Sequence, residues 1–189
     1  LGAARVELLG YADSGLGRVL APDPVGARRF AGVPVAEAAE RLAALLREES
    51  ADLLLSYDAN GGYGHPDHRQ VHLVGAAAAR LAGTPRVLEV AVSPWVARVM
   101  KPRGSVLGPV APVTHVVDVR PALDAKVAAI RAHRSQLAHD GPLPRNLALL
   151  TRLPRPLRAR ALGTERFADP AGGGFRPRPR HTAGLFSES

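Results

Sequence analysis

The sequence has no cysteine, few aromatic residues and no long apolar run. Cysteine is absent from all 189 residues, which excludes disulfide bonds and metal sites built from thiolates. Phe, Trp and Tyr together make up 4%. No stretch reaches the roughly 18 consecutive apolar residues of a transmembrane helix, so we predict no membrane span. The first ten residues also lack the pattern of a signal peptide, and we expect a cytoplasmic protein.

What the chain does have is the composition of a globular protein with an uneven charge. Hydrophobic residues make up 46% and charged residues 22%, which is enough to build a buried core. The net charge of +8 is concentrated late, because residues 141–189 carry nine Arg against three acidic side chains. We therefore predict an α/β domain over residues 1–140 and a basic Pro/Arg-rich carboxy-terminal extension over residues 141–189.

The basic extension does not by itself predict a nucleic-acid partner. Proteins that bind single-stranded nucleic acids place aromatic side chains among their basic residues, and this stretch has few. We interpret the extension as a solvated tail and predict no nucleic-acid binding. The alternative is that residues 145–180 bind an anionic polymer, which would show a steep salt dependence.

Apolar runs alternate with amphipathic stretches through the first 140 residues. Helices are predicted to begin at Pro34, Pro66 and Pro121, because proline favours the first helical turn. Strands are predicted at residues 5–9, 53–57, 86–92 and 113–119. This alternation predicts an α/β fold with three layers and a mostly parallel, Rossmann-like sheet.

One segment combines glycines, histidines and a carboxylate where a strand gives way to a helix. It runs from Asp58 to His68 and contains His65, Asp67 and His68 behind the Asn60-Gly-Gly-Tyr-Gly stretch. In open α/β sheets this carboxyl end of a strand is where ligands bind. Two imidazoles one helical turn apart suit either a set of metal ligands or one ligand with an acid/base partner. A helix start that merely carries His and Asp remains the structural alternative.

The stretch Asn60-Gly-Gly-Tyr-Gly-His-Pro-Asp-His68 resembles the second signature of the PIG-L/LmbE-like zinc-dependent N-acetylglucosaminyl deacetylases. The resemblance is greatest to the branch with the mycothiol-pathway deacetylase and the mycothiol S-conjugate amidase. Residues 9–15, with Asp13-Ser-Gly, and residues 126–136, with His133-Arg-Ser-Gln, also resemble that family. The likeness extends over roughly residues 1–140.

The resemblance implies a role for each matching residue. His68 would be a zinc ligand, and His65 would be the acid that protonates the leaving amine, with Asp67 orienting its ring. Tyr63 would polarise the substrate carbonyl, and Asp13 would bind sugar hydroxyls. The implied cofactor is zinc, and the implied substrate is a small amino sugar carrying an N-acetyl group.

The sequence departs from this family at one point. The family's first signature, Ala-His-Pro-Asp-Asp-Glu, would supply the other two zinc ligands and the general base, and nothing like it occurs here. We therefore expect a domain truncated at its amino terminus, with an exposed sheet edge that favours self-association. The zinc site would be incomplete and this chain alone inactive. The alternative is a non-catalytic family member.

Further residues have alternative interpretations. His72, one helical turn after His68, is either a second zinc ligand or a side chain packed against the sheet, and packing is favoured. His115, His133 and Trp95 are interpreted as packing residues. The structural alternative for Asp13 is that its carboxylate caps its own turn. The structural alternative for Tyr63 is that its ring serves only as a packing anchor.

Overall fold

Helices and strands alternate along the chain, as the sequence predicts. A computed structural model describes residues 2–15, 20–91, 112–134 and 146–171, without the side chains of residues 63, 146 and 147. After a short 3-10 turn, the elements are α1 (Val35–Glu48), β1 (Leu54–Tyr57), α2 (Gly61–Gly64), α3 (Pro66–Ala82), β2 (Val87–Val90), β3 (His115–Asp118), α4 (Leu123–Ala132), α5 (Asn146–Arg152), α6 (Arg155–Leu162) and β4 (Thr164–Ala168).

The main apolar core lies between α1 and α3. It consists largely of small side chains, and its buried members are Val33, Ala38, Ala39, Ala43, Leu46, Val74 and Ala78. Alanines at the contact let the two helix backbones approach closely, and their spacing in α1 follows the helical period. Helix α3 also packs closely on β1. A Cβ added at Gly75 of α3 would lie only 3.0 Å from Ser56 Oγ of β1.

Both ends of α3 follow from local sequence. Pro66 occupies the first turn, where its missing N–H costs no hydrogen bond. The helix ends at Gly83, which adopts a left-handed φ of 74° and donates its N–H to the carbonyls of Ala79 and Arg80. The predicted helix start at Pro66 and its end at Gly83 are therefore confirmed. Because the helix begins at Pro66, its first turn lies close to the end of β1.

The described strands form one sheet in the order β1-β2-β4-β3. The α/β class is confirmed, and the sheet is mixed, so the mostly parallel, Rossmann-like arrangement is not confirmed by these strands. Strand β1 pairs with β2 in parallel, whereas β4 is antiparallel to both β2 and β3. The reason is that the chain returns at the carboxyl end of β3, where Val119 N donates to Gly163 O at 2.9 Å. From there β4 can only run back along β3. The third layer stays a prediction.

Two strand predictions differ from the structure. Residues 5–9 form no strand, because no described strand pairs with them. Val6 and Leu8 are 80% and 89% exposed, and Arg5 forms ion pairs with Glu48 and Glu49 at the end of α1 instead. Conversely, β4 lies in the carboxy-terminal extension that we interpreted as a solvated tail, and its Phe167 and Ala168 are buried.

The remaining predictions for this part of the chain divide between confirmed elements and undescribed residues. The predicted strands at 53–57, 86–92 and 113–119 and the helix after Pro121 are present, within a few residues of the expected bounds. Val92 and Trp95 lie outside the described residues. So does the junction at residue 140, and the division into two segments stays a prediction. The second segment does contribute β4 to the sheet.

Candidate active site

The motif residues meet at the carboxyl end of β1. The strand ends at Tyr57, the short helix α2 follows, and α3 begins at Pro66. The Tyr57 ring stacks on the His68 ring, with centroids 3.9 Å apart and planes inclined by 8°. The predicted position of His65 and His68 beyond the second predicted strand is therefore confirmed, and it is the position at which α/β sheets bind ligands.

His65 caps the amino end of α3. Its Nδ1 accepts a hydrogen bond from the backbone N–H of Asp67 at 3.1 Å, and the residue is only 9% exposed. An accepting Nδ1 carries no proton, so the proton of the neutral ring is on Nε2. The local fold thus makes Nε2 of His65 the proton-donating atom. This link between His65 and Asp67 runs through the Asp67 backbone rather than its carboxylate.

His68 lies one turn further along α3, against the same crevice. Its ring stacks on His65 with centroids 4.6 Å apart, and its Nδ1 is 3.3 Å from the carbonyl of Gly61. By donating Nδ1–H to that carbonyl, His68 leaves Nε2 as the nitrogen with a lone pair. Burial, and secondarily the neighbouring His65, lower the pKa of His68. The neutral imidazole is the form that binds metals.

Asp67 joins α3 to the loop that contains Asp13. Its Oδ2 accepts a hydrogen bond from the backbone N–H of Ser14 at 2.9 Å. Ser14 is buried, with 3% exposed, and its Oγ accepts from Ala31 N at 2.9 Å. The other oxygen, Asp67 Oδ1, is buried and has no hydrogen-bond partner among the described residues. Ser14 is a site residue that we did not predict, although it lies in the Asp-Ser-Gly segment that carries the resemblance.

The Asp13 carboxylate has contacts that support both interpretations of this residue. Its Oδ1 accepts from Gly15 N at 2.5 Å, which is the self-capping turn expected of an Asp at this position. Its carboxylate also lies near His65 and Asp67, and one ligand atom from each of the three falls within 4.8 Å of the others. The structure thus brings Asp13, His65 and Asp67 together, with His68 stacked beside them. Tyr63 lies in α2, and its side chain is outside the description.

Comparisons with known proteins decide the family. A family model described as PIG-L, GlcNAc-PI de-N-acetylase, matches residues 1–79. A Nocardioides protein is 32% identical over 169 residues, and a Rhodococcus jostii protein is 35% identical over 168. The chain belongs to the PIG-L family.

These PIG-L relatives all have the same protein name. The Nocardioides and Rhodococcus proteins, and a Streptomyces avermitilis protein that is 34% identical over 180 residues, are each named 1D-myo-inositol 2-acetamido-2-deoxy-alpha-D-glucopyranoside deacetylase. The matches include 70%, 72% and 78% of this chain but 56%, 56% and 59% of the three relatives. The chain thus spans a little over half the length of the curated relatives it matches. The predicted family is confirmed.

The donors at this PIG-L site suit a divalent metal ion. Imidazole nitrogen and carboxylate oxygen are ligands that zinc takes in proteins. Asp13, His65 and Asp67 offer such atoms at close quarters, and the buried, unpartnered Asp67 Oδ1 is an acceptor in need of a cation or a donor. His68 is not part of that three-residue group. The metal therefore has two candidate histidine ligands. The resemblance assigns it to His68, and the proximity of Asp13 and Asp67 favours His65.

His72 is held by a carboxylate beneath α3. Its Nδ1 lies 2.9 Å from Glu89 Oε1 on β2, and the Glu89 side chain is only 8% exposed. Burial raises the pKa of Glu89, while the contact with His72 opposes that rise. The contact supports the packing interpretation of His72 over its use as a second zinc ligand. It ties the helix that carries the candidate site to the sheet.

We expect His72→Ala to destabilise the protein in a pH-dependent way. Removing one partner of a buried pair leaves Glu89 charged and uncompensated, which costs about 1–3 kcal/mol. Without His72 the pKa of Glu89 rises further, so acid neutralises the carboxyl and the cost disappears. The deficit in unfolding free energy should therefore be largest near neutral pH and shrink towards pH 4. Urea unfolding at several pH values measures it.

Two variants control this measurement. Glu89→Gln removes the titrating carboxyl, so His72→Ala in that background should show little pH dependence. His133→Ala replaces an exposed histidine that follows α4 and should cost less at every pH. A deficit that stays constant from neutral to acid pH would contradict the ion-pair explanation.

The remaining described histidines have local partners. His115 is 8% exposed on β3, and its Nδ1 lies 2.7 Å from Thr114 Oγ1. His133 follows α4, with its Nδ1 2.8 Å from the carbonyl of Ala129. These contacts support the packing interpretation of both residues.

Across the described residues, no helix combines the length and apolar character needed to cross a membrane.

Proposed function

We propose that this chain belongs to a zinc-dependent hydrolase that removes acetyl from an N-acetylglucosaminyl substrate of the mycothiol pathway. The observation that carries the proposal is the cluster of His65, His68, Asp67 and Asp13 at the carboxyl end of β1. It occurs in a family whose curated relatives are named deacetylases of an inositol-linked N-acetylglucosamine. When bound, zinc lowers the pKa of water and so supplies a nucleophile at neutral pH.

The residues around the cluster have separate roles in this proposal. Water adds to the acetamide carbon while its proton passes to a general base, which the resemblance places in the signature that these residues do not contain. The carbonyl oxygen takes on negative charge, and the C–N bond then breaks to give acetate and an amine. His65 transfers the proton that the leaving amine needs through Nε2, because its Nδ1 is engaged in capping α3. Tyr63 stabilises the oxyanion, and Asp13 accepts hydrogen bonds from sugar hydroxyls.

Asp67 and His68 complete the proposed set. Asp67 orients His65 and is itself held by the Ser14 N–H. His68 holds zinc through Nε2, since Nδ1 faces the Gly61 carbonyl. Catalytic zinc sites use about three protein ligands with one open position, and the resemblance assigns only His68. We therefore propose that these 189 residues alone bind zinc weakly and do not turn over substrate.

A non-catalytic family member is the second candidate. These 189 residues contain no His-Pro-Asp-Asp signature, which in the family would supply two ligands and the general base, so experiment has to separate the two candidates. The two candidates differ in one property. A catalytic domain regains zinc and activity when those ligands are supplied, whereas a non-catalytic one does not.

The test compares the chain alone with the chain joined to the amino-terminal segment of an active PIG-L relative. Each is dialysed, its zinc is measured by atomic absorption, and release of primary amine from the inositol-linked N-acetylglucosamine is followed with a fluorogenic reagent. We expect near-equimolar zinc and amine release only from the joined protein. Zinc binding without amine release, with the active relative as positive control, would favour the non-catalytic alternative.

We also propose that the chain self-associates through the β1 edge of its sheet. Strand β1 is an edge strand in the described sheet, and its Leu55 is 54% exposed. An apolar edge offers unpaired backbone groups to another chain. Light scattering should show a mass that rises with concentration, and Leu55→Lys should reduce it, while Leu157→Lys on α6 should not. A monomer that is unchanged across concentrations would contradict the proposal.

A further inference from the structure

Asp58 fixes the glycine turn between β1 and α3 by two hydrogen bonds. Its Oδ1 accepts from Gly62 N at 2.7 Å, and its backbone carbonyl accepts from Gly61 N at 2.9 Å. Gly61 and Gly62 both have positive φ, 63° and 68°, a conformation that glycine adopts without the cost other residues incur. A carboxylate is a stronger acceptor than a neutral group, so this bond holds the turn firmly.

The turn that Asp58 fixes is in direct contact with His68. The Gly61 carbonyl is the group 3.3 Å from His68 Nδ1. Gly61 also packs tightly on α3, because a Cβ there would lie 2.8 Å from both the N and the Cγ of Arg69. The Gly61 carbonyl therefore has little freedom to move, and its direction depends on the turn that Asp58 holds.

We propose that Asp58 is a positioning residue that sets the tautomer of His68. By holding the turn, it aims the Gly61 carbonyl at Nδ1, so that Nδ1 carries the proton and Nε2 keeps its lone pair. The importance of that tautomer for zinc rests on the proposed function, but the tautomer itself does not. Residue type alone does not separate Asp58 from other loop carboxylates, because its contacts are to backbone N–H groups.

The two nitrogens of His68 can be told apart by nuclear magnetic resonance. In zinc-free protein labelled with ¹⁵N, two-bond ¹H–¹⁵N spectra at pH 8 show which ring nitrogen is protonated. We expect the wild type to have Nδ1–H and an unprotonated Nε2 at His68. Asp58→Ala should lose this preference and give a mixture of tautomers, with a displaced Gly62 amide signal.

Three further variants separate positioning from general damage to the fold. Asp58→Asn keeps an oxygen that can accept from Gly62 N, so it should restore the Nδ1–H tautomer. Asp58→Glu keeps the charge but displaces the oxygen, so it should lose the tautomer as Asp58→Ala does. Asp52→Ala removes an exposed carboxylate six positions earlier and should leave His68 unchanged.

Two results would overturn the proposal. One is a wild-type His68 with its proton on Nε2. The other is an Asp58→Ala protein whose amide spectrum shows a folded chain and whose His68 keeps Nδ1–H. If Asp58→Ala does not fold, Asp58→Glu decides in the same way. Because neither zinc nor substrate is present, these results are independent of whether the protein deacetylates anything.

Discussion

Replacing His65 by alanine should lower the rate of amine release by about 10²- to 10⁴-fold, the usual contribution of a positioned acid. Zinc content should stay near that of the parent, because the proposal gives zinc to His68. The physical reason is that amine expulsion needs a proton, and the capping contact of Nδ1 leaves Nε2 of His65 as the ring nitrogen through which a proton can pass. The measurement is turnover by whichever preparation is active, the chain alone or the chain joined to a relative's amino-terminal segment.

The variant needs a control because His65 also caps α3. Losing a helix cap costs about 1 kcal/mol of stability, which by itself would lower activity. His65→Asn keeps an oxygen that can cap the helix but has no titrating proton. We expect His65→Asn to recover the stability of the parent and not its rate. Recovery of both would mean that His65 acts only through the helix.

Replacing His68 by alanine should remove zinc. Residues that merely orient a metal ligand change affinity by about 10- to 100-fold, and loss of a ligand should exceed that. The expected result is a zinc content far below one per chain after dialysis, with the rate falling in parallel. His133→Ala, which replaces an exposed histidine that follows α4, should keep both zinc and rate.

The two histidine variants together decide between the two assignments of the metal. If His65→Ala lost zinc while His68→Ala kept it, the metal would lie in the group of Asp13, His65 and Asp67. In that event Asp13→Asn should also weaken zinc. If only His68→Ala loses zinc, Asp13 remains free to bind sugar hydroxyls, and Asp13→Asn should raise KM and leave the metal content unchanged.

The helices and strands that were predicted correctly are those in which the local sequence pattern and the tertiary environment favour the same structure. Helix α3 begins at a proline and ends at a left-handed glycine, and both signals act within a few residues. Strand β4 is different, because Thr164-Glu-Arg-Phe-Ala168 mixes charged and apolar residues and becomes a strand through its pairing with β2 and β3. Residues 5–9 show the converse, since none of the described strands pairs with this run and its Val6 and Leu8 stay exposed.

The candidate site was predictable to the extent that residue types carry it. His65, Asp67 and Asp13 were predicted from their chemistry and the resemblance, and the structure brings them together. Ser14 and Asp58 were not, because each acts through a hydrogen bond that involves a backbone N–H. A backbone group is the same at every position, so its contacts are decided by the fold rather than by the residue type. Glu89 was missed because its partner, His72, is on another element.

The position of β4 between β2 and β3 governs how the chain can fold. Val90 pairs with Phe167, which is 77 positions later in the chain, so this contact closes a very long loop. Such pairings are slow to form, since the entropy of closing the loop must be lost before the contact stabilises anything. During synthesis, β1 and β2 emerge well before β4 and expose one side of β2 in the meantime. We therefore expect the nascent chain to depend on chaperones until Ala168 has left the ribosome.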